Sequence, residues 1–269
     1  MSKLMEDLDV EDYMPLFKEE RDIEHARKEN KARIRTLRKV GKKKAIALAN
    51  KLDKCQPEDK CGSPACAECN WLARRLHTRQ MRRIFKMSAK QFHVCIVPIE
   101  FYFKPRALRQ INVKRLKDTL RKQIARVGIK RVLIVGGIEV EYKFKRKRMC
   151  LHWHLIFGNC TKGDIEKLRR YYPNHREMKK SPIKPGEENR VYQYGIKNST
   201  FGKNPHNRKP KRPYPKIHAE HLYLLDRHTF HDLMFMRGVR FNGGKLGIIK
   251  KSDLDQKTRN EKRPLRKAF

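Results

Sequence analysis

RVLIVGGIEVEYKFKRKRMCLHWHLIF, residues 131–157, is the stretch that decides how this chain reads. Both of its ends are rich in β-branched and other apolar residues, and the cationic run KFKRKR (143–148) divides them. That pattern predicts two strands, 131–142 and 149–157, joined by a basic hairpin tip. Strand side chains alternate between faces, so His152 and His154 share one face while Leu151, Trp153 and Leu155 share the other. Glu139 and Glu141 share a face of the preceding strand in the same way. A hairpin turning around residues 144–147 brings one of these carboxylates close to the histidines. Two imidazoles and a carboxylate with open coordination positions suit a catalytic divalent ion.

FHVCIVPIEF (92–101) reads as a further strand. Residues 112–127 read as a helix with Asn112 as cap, a stripe of Leu116, Leu120 and Ile124, and Gly128 as stop. DIEKLRRYY (164–172) reads as a second helix. The order β-α-β-β-α predicts an α+β fold, a ferredoxin-like antiparallel sheet with helices on one face. Beyond it, Pro173, Pro182, Pro185 and Gly186 mark 173–186 as a loop, and 187–199 reads as helix. Residues 201–216 read as a basic loop or arm. Residues 219–237 read as a helix with Leu222, Leu225, Leu233 and Met236 inside.

Ahead of the sheet, residues 1–20 are acidic, and 21–54 turn basic with Ile34, Leu37 and Val40 at helical intervals and a break near Gly41. Residues 71–89 read as a helix with Leu72, Leu76, Ile84 and Met87 on one side and arginines on the other. Four segments follow: an extension (1–54), a cysteine element with its basic helix (55–89), a sheet domain (90–240) and a basic tail (241–269).

Cys55, Cys61, Cys66 and Cys69 follow C-x5-C-x4-C-x2-C. Four thiolates in so short a span suit tetrahedral zinc that fixes the following helix. The first residues carry no apolar run and no stretch approaches the ~20 apolar residues of a membrane span. We therefore expect a cytoplasmic protein with no membrane partner, in a reducing compartment where metal binding outranks disulfides.

The formal net charge is +38 over 269 residues, an excess that no fold requires and that suits a dense polyanion, nucleic acid being the usual one. Lys143, Lys145, Arg146, Lys147 and Arg148 at the hairpin tip, and Arg208, Lys209, Lys211 and Arg212 in the arm, are candidates for phosphate contact. No GxxxxGK[ST] loop is present, so no built-in ATPase is expected.

VYQYGIKNS (191–199) places Tyr194 and Lys197 on one helix face, with Tyr192 pointing elsewhere. A phenol, with a usual pKa of about 10, needs a neighbouring cation or metal to act as nucleophile. The order apolar strand, Gly-x-x-Glu, HWH, then YGIK resembles the rolling-circle replication initiators of the HUH endonuclease superfamily, one-tyrosine type, over about residues 90–200. Some of those initiators also carry a cysteine cluster before an arginine-rich helix.

The resemblance implies that His152 and His154 bind Mg²⁺ or Mn²⁺, with Glu139 or Glu141 as a further ligand. Tyr194 would attack a phosphate of single-stranded or hairpin origin DNA, leaving a 5′-phosphotyrosyl enzyme and a free 3′-hydroxyl, and later transfer would rejoin the ends. Lys197 would neutralise the phosphate, and a host helicase and polymerase would complete the process. Relatives with a terminating glutamate place it one turn before the tyrosine, where this chain has Arg190; Glu187 lies seven before. A transposase keeps the same motif order, whereas a relaxase places its tyrosine before the histidines. A non-catalytic zinc-containing nucleic-acid-binding protein fits the charge and cysteines alone.

Overall fold

Gly41, held at φ +70°, breaks the basic N-terminal stretch into two helices, α1 (Ile23–Val40) and α2 (Lys43–Asp53). This left-handed conformation is one that glycine adopts without strain. The structure, a computed structural model, describes residues 23–86, 88, 90–98, 102–129, 131–195, 202–203, 210–242 and 245–249. Helix α3 (Ala67–Phe85) begins earlier than its leucine stripe suggests. Its N-cap is Cys66, whose sulfur accepts from the Cys69 amide at 3.5 Å. Starting there, α3 buries His77, Met81, Ile84 and Phe85, while the expected Leu72 and Leu76 stay half-buried. Met87 lies outside the described residues.

The sheet is built from β1 (Gln91–Ile96), β2 (Tyr102–Phe103), β3 (Leu133–Lys143), β4 (Arg148–Gly158), β5 (Met178–Pro182) and, later in the chain, β8 (Met234–Arg237). Its order is β5-β1-β4-β3-β8, every pair is antiparallel, and β2 pairs beside the start of β4. Between β2 and β3 runs α4 (Val113–Arg126), capped by the Asn112 side chain on the Arg115 amide at 2.9 Å. The protein is thus α+β with an antiparallel sheet. One sheet face, with Ile138, Leu151, Trp153, Leu155 and Phe157, packs on Leu120 and Ile124 of α4 in the main core. Trp153 meets Phe235 of β8 edge-on, ring centroids 5.9 Å apart. Each such side chain contributes about 1.5–3 kcal/mol by leaving water. The other face is partly covered by α3 through Met81, Ile84 and Phe85.

Several expected elements are corrected. The helix expected over 164–172 is α5 (Lys162–Glu166), opened by a Thr161–Asp164 capping box, followed by a 3-10 turn over Lys167–Arg170. The loop expected over 173–186 contains β5, whose sequence MKKSP carries no strand signal; only Met178 is buried, and pairing with β1 makes it an edge strand. α6 (Glu188–Tyr194) covers the described part of the helix expected over 187–199.

In the arm, β6 (Gly202–Lys203) and β7 (Pro210–Lys211) pair with each other. The helix expected over 219–237 is three elements: α7 (Pro215–Asp226), α8 (Phe230–Leu233) and then β8. Thr229 and Asp232 form a capping box inside the supposed helix, and Met234–Arg237 joins the sheet edge against β3. At the boundary with the expected tail, β9 (Val239–Asn242) pairs antiparallel with β10 (Lys245–Ile248), anchored by buried Leu246. Among the described residues no helix is long and apolar enough to cross a membrane.

Candidate active site

Pairing of β3 with β4 sets Glu139 opposite His152 and Gly137 opposite His154, with a four-residue turn at 144–147 fixing the register. All three polar side chains are buried. Glu139 Oε2 stands 3.3 Å from His152 Nε2 and 2.9 Å from His154 Nε2, and the three donor atoms lie within 4.8 Å of one another. Donors bound to one ion at about 2.1 Å sit roughly 3–4 Å apart, so this set fits a single divalent metal. Burial works against a charge on His152, but the nearby Cys150 thiol and the Glu139 carboxylate hold its proton and lift it to about 9. A metal entering here displaces that proton. Glu141 stays outside the cluster, opposite Cys150, and accepts from the Lys143 ammonium.

The sequence reading missed His93. It lies on β1 with its Nε2 3.0 Å from His154 Nδ1, the two rings stacked at 5.2 Å. With His154 Nε2 turned to the metal position, its Nδ1–H donates to His93, which fixes ring and tautomer. Burial, helped by the neighbouring His154, pulls His93 down to about 4, consistent with an uncharged acceptor.

Tyr194 ends α6 beside this cluster. Its ring is 5.6 Å from that of His154 and 6.2 Å from that of His93, and it is 37% exposed. Tyr192 turns the other way: it is buried, its hydroxyl donates to Gln91, and burial pushes its phenol upward. Two paired glycines let α6 approach. A Cβ on Gly137 would stand 2.3 Å from the Gly195 carbonyl oxygen, and one on Gly195 would stand 3.2 Å from Gly136 Cα. The Gly-Gly in a strand was the available signal, since such glycines mark close backbone approach. Gly137→Ala is therefore expected to shift the end of α6 and lower Tm by ~2–10 °C. Gly247→Ala, whose Cβ meets nothing within 4 Å, is the control in the same thermal melt and should leave Tm unchanged.

The cysteine cluster is assembled as the spacing implies. The Sγ atoms of Cys55, Cys61, Cys66 and Cys69 lie within 4.8 Å of one another, with Cys69 3.6 Å from Cys55 and 3.7 Å from Cys61. A disulfide needs about 2.05 Å, whereas sulfurs around tetrahedral zinc stand about 3.8 Å apart. Hydrogen bonds from Cys66 hold Cys61 and Cys55 down, while the same sharing of protons pushes Cys66 and Cys69 up. Four thiolates can coexist there only around a cation, so the donor set fits zinc.

The expected phosphate contacts divide. Lys145, Arg146, Lys147 and Arg148 are exposed at the hairpin tip, with the Arg146 guanidinium 4.7 Å over the Tyr102 ring. Lys211 lies 5.2 Å over Phe144, which brings the arm beside the tip. Arg212 instead clasps Glu29 of α1 through both terminal nitrogens, at 3.1 and 2.5 Å, and braces the arm. Lys197, Arg208 and Lys209 lie outside the described residues. No protein-family model matches the chain, nor does any curated protein or solved structure.

Proposed function

We propose that the protein nicks single-stranded DNA in the manner of the HUH endonucleases and starts rolling-circle replication with Tyr194 as nucleophile. The observation that carries this reading is the exposed Tyr194 ring 5.6 Å from His154, beside a buried Glu139–His152–His154 set whose donors lie within 4.8 Å. The sheet supports it too. Leaving aside β2 and the edge strand β8, the order β5-β1-β4-β3 with α4 and α5 as crossovers is the order that the ferredoxin-like reading expects.

Glu139, His152 and His154 would hold Mg²⁺ or Mn²⁺, which when bound polarises a phosphate oxygen. The Tyr194 oxygen would attack phosphorus, its proton passing to solvent. The bond from phosphorus to the 3′-oxygen would break and that oxygen would take up a proton from solvent, leaving a 3′-hydroxyl to prime synthesis and a 5′-phosphotyrosyl bond to be resolved by later transfer. His93 keeps the His154 ring in place. A host helicase and polymerase would extend the 3′-hydroxyl. Cys55, Cys61, Cys66 and Cys69 would hold zinc, which would fix the start of α3 and supply nothing to the chemistry.

The test uses circular single-stranded DNA carrying the origin region, Mn²⁺ and a denaturing gel. Wild type is expected to give a covalent protein–DNA band, and Tyr194→Phe to lose it by at least ~10³-fold. A band of equal strength in Tyr194→Phe sinks the nucleophile assignment. Strong binding with no band in either leaves a zinc-containing nucleic-acid-binding protein as the reading.

A further inference from the structure

On the side of α6 away from the histidines, an open cleft of about 1030 Å³ runs between the end of α3, the start of β1 and the turn after β5. Arg82, Arg83, Lys86, Lys90 and Lys162 line it, all exposed, and none has a carboxylate partner among the described residues. Glu188 is the one carboxylate among the described lining residues, and its Oε2 is occupied by the Gly186 amide at 2.8 Å. Five cations arrive from three separate elements and converge on one concave surface, where mutual repulsion disfavours them unless an anion joins them. Pro182, Ile183 and Pro185 add an apolar wall, and buried Tyr192 makes a rigid floor.

We propose that this cleft holds the phosphates of the single strand next to the one that Tyr194 attacks, with bases or sugars against the apolar wall. The inference rests on the nicking reading for its link to Tyr194, and on the cleft itself for its ligand class. A lone phosphate needs one or two cations. Five cations beside an apolar wall suit successive nucleotides of a flexible strand. Continuity comes from α6, which presents Glu188, Asn189 and Tyr192 to the cleft and Tyr194 to the histidines. A strand leaving the cleft therefore reaches Tyr194 by crossing one helix width, about 10 Å.

The test is fluorescence anisotropy of a labelled oligothymidylate across a salt series, using the full chain with Tyr194→Phe so that no covalent trapping intervenes. The cleft variant is Arg83→Ala/Lys86→Ala/Lys90→Ala/Lys162→Ala. Its control is Lys31→Ala/Lys39→Ala/Lys42→Ala/Lys43→Ala, which removes the same charge from the exposed faces of α1 and α2. Each single-strand phosphate contact contributes about 0.7 to the slope of log K against log salt. The cleft variant is expected to lose roughly 2–3 from that slope, and the control less than ~1. The double variant Lys86→Ala/Lys90→Ala serves if the quadruple one is unstable, with a loss of about 1.4, read against the double control Lys39→Ala/Lys43→Ala, which should lose less than ~0.5. Equal losses in cleft and control variants, or none in either, overturn the proposal. If the cleft variant loses slope while Tyr194 forms no adduct, the cleft stands and the nicking reading falls. If the adduct forms and the slope is unchanged, the reverse holds.

Discussion

Cys66→Ser is expected to strip zinc from the protein and unfold the helical layer in front of the sheet. Cys66 has no exposed surface and does two jobs: its sulfur belongs to the cysteine cluster and caps α3. The cluster ties the end of α2, through Cys55, to the first turn of α3, through Cys69. Around it, Arg33 donates to the Ala65 carbonyl at 2.8 Å, and Asn30 accepts from the Ala67 amide at 3.1 Å. Structural zinc contributes roughly 10–16 kcal/mol in isolated fingers, comparable with the ~5–15 kcal/mol that holds a whole domain folded. Losing it exceeds what the small α1–α3 core can offset.

The damage should travel. Arg74 of α3 hydrogen-bonds Gln193 of α6 at 3.0 Å, so a loosened α3 also frees the helix that carries Tyr194. We expect one equivalent of zinc per chain in wild type, none in Cys66→Ser, a drop of more than ~10 °C in Tm, and lost helical circular dichroism. Cys160→Ser, outside the cluster, should match wild type in zinc content. Zinc-free wild-type protein with the Tm of the holoprotein would count against the whole argument.

How much of this could be read from the sequence follows from which interactions are local. The β3–β4 hairpin was legible because its apolar runs and cationic tip are contiguous. The shared face of His152 and His154 follows from alternation alone. The choice between Glu139 and Glu141 was not legible, since it turns on the register, which the four-residue turn at 144–147 sets. His93 sits in a strand like any other residue, and only pairing of β1 with β4 brings it to His154.

β5 could not be seen at all, because MKKSP is strand only by virtue of its partner. The capping box at Thr229 and the double glycine at 136–137 were visible signals that the hydrophobic period overrode. The cysteine cluster was legible because its four thiols fall in fifteen consecutive residues. The basic cleft was not, because Arg82, Lys90 and Lys162 come from separate elements.

Glu139→Gln is expected to remove both the proposed metal binding and the proposed nicking while leaving the apo fold intact. Among the described residues the Glu139 carboxylate is the one anion paired with both imidazoles, so its loss leaves two neutral donors and an amide, a poor set for Mg²⁺ or Mn²⁺. If the metal supplies about 4 kcal/mol to the transition state, nicking falls by ~10³-fold. Binding shows without catalysis: Mn²⁺ at about 100 times its Kd adds ~2.7 kcal/mol and should raise wild-type Tm by ~5–10 °C. In Glu139→Gln the rise should be below ~1 °C.

The proton count gives a second readout. His152, lifted to about 9, stabilises the metal-free fold fully below the free-histidine value of about 6.5, and that stability fades as pH rises through about 9. Without Glu139 this alkaline loss should shrink. Glu141→Gln separates the two carboxylates, because Glu141 pairs with Lys143 and lies outside the donor set. It should keep nicking within about threefold and retain the Mn²⁺-induced rise in Tm, since no metal donor is removed. If the two glutamine variants behave alike, the metal does not sit between Glu139 and the histidines, and the proposed chemistry goes with it.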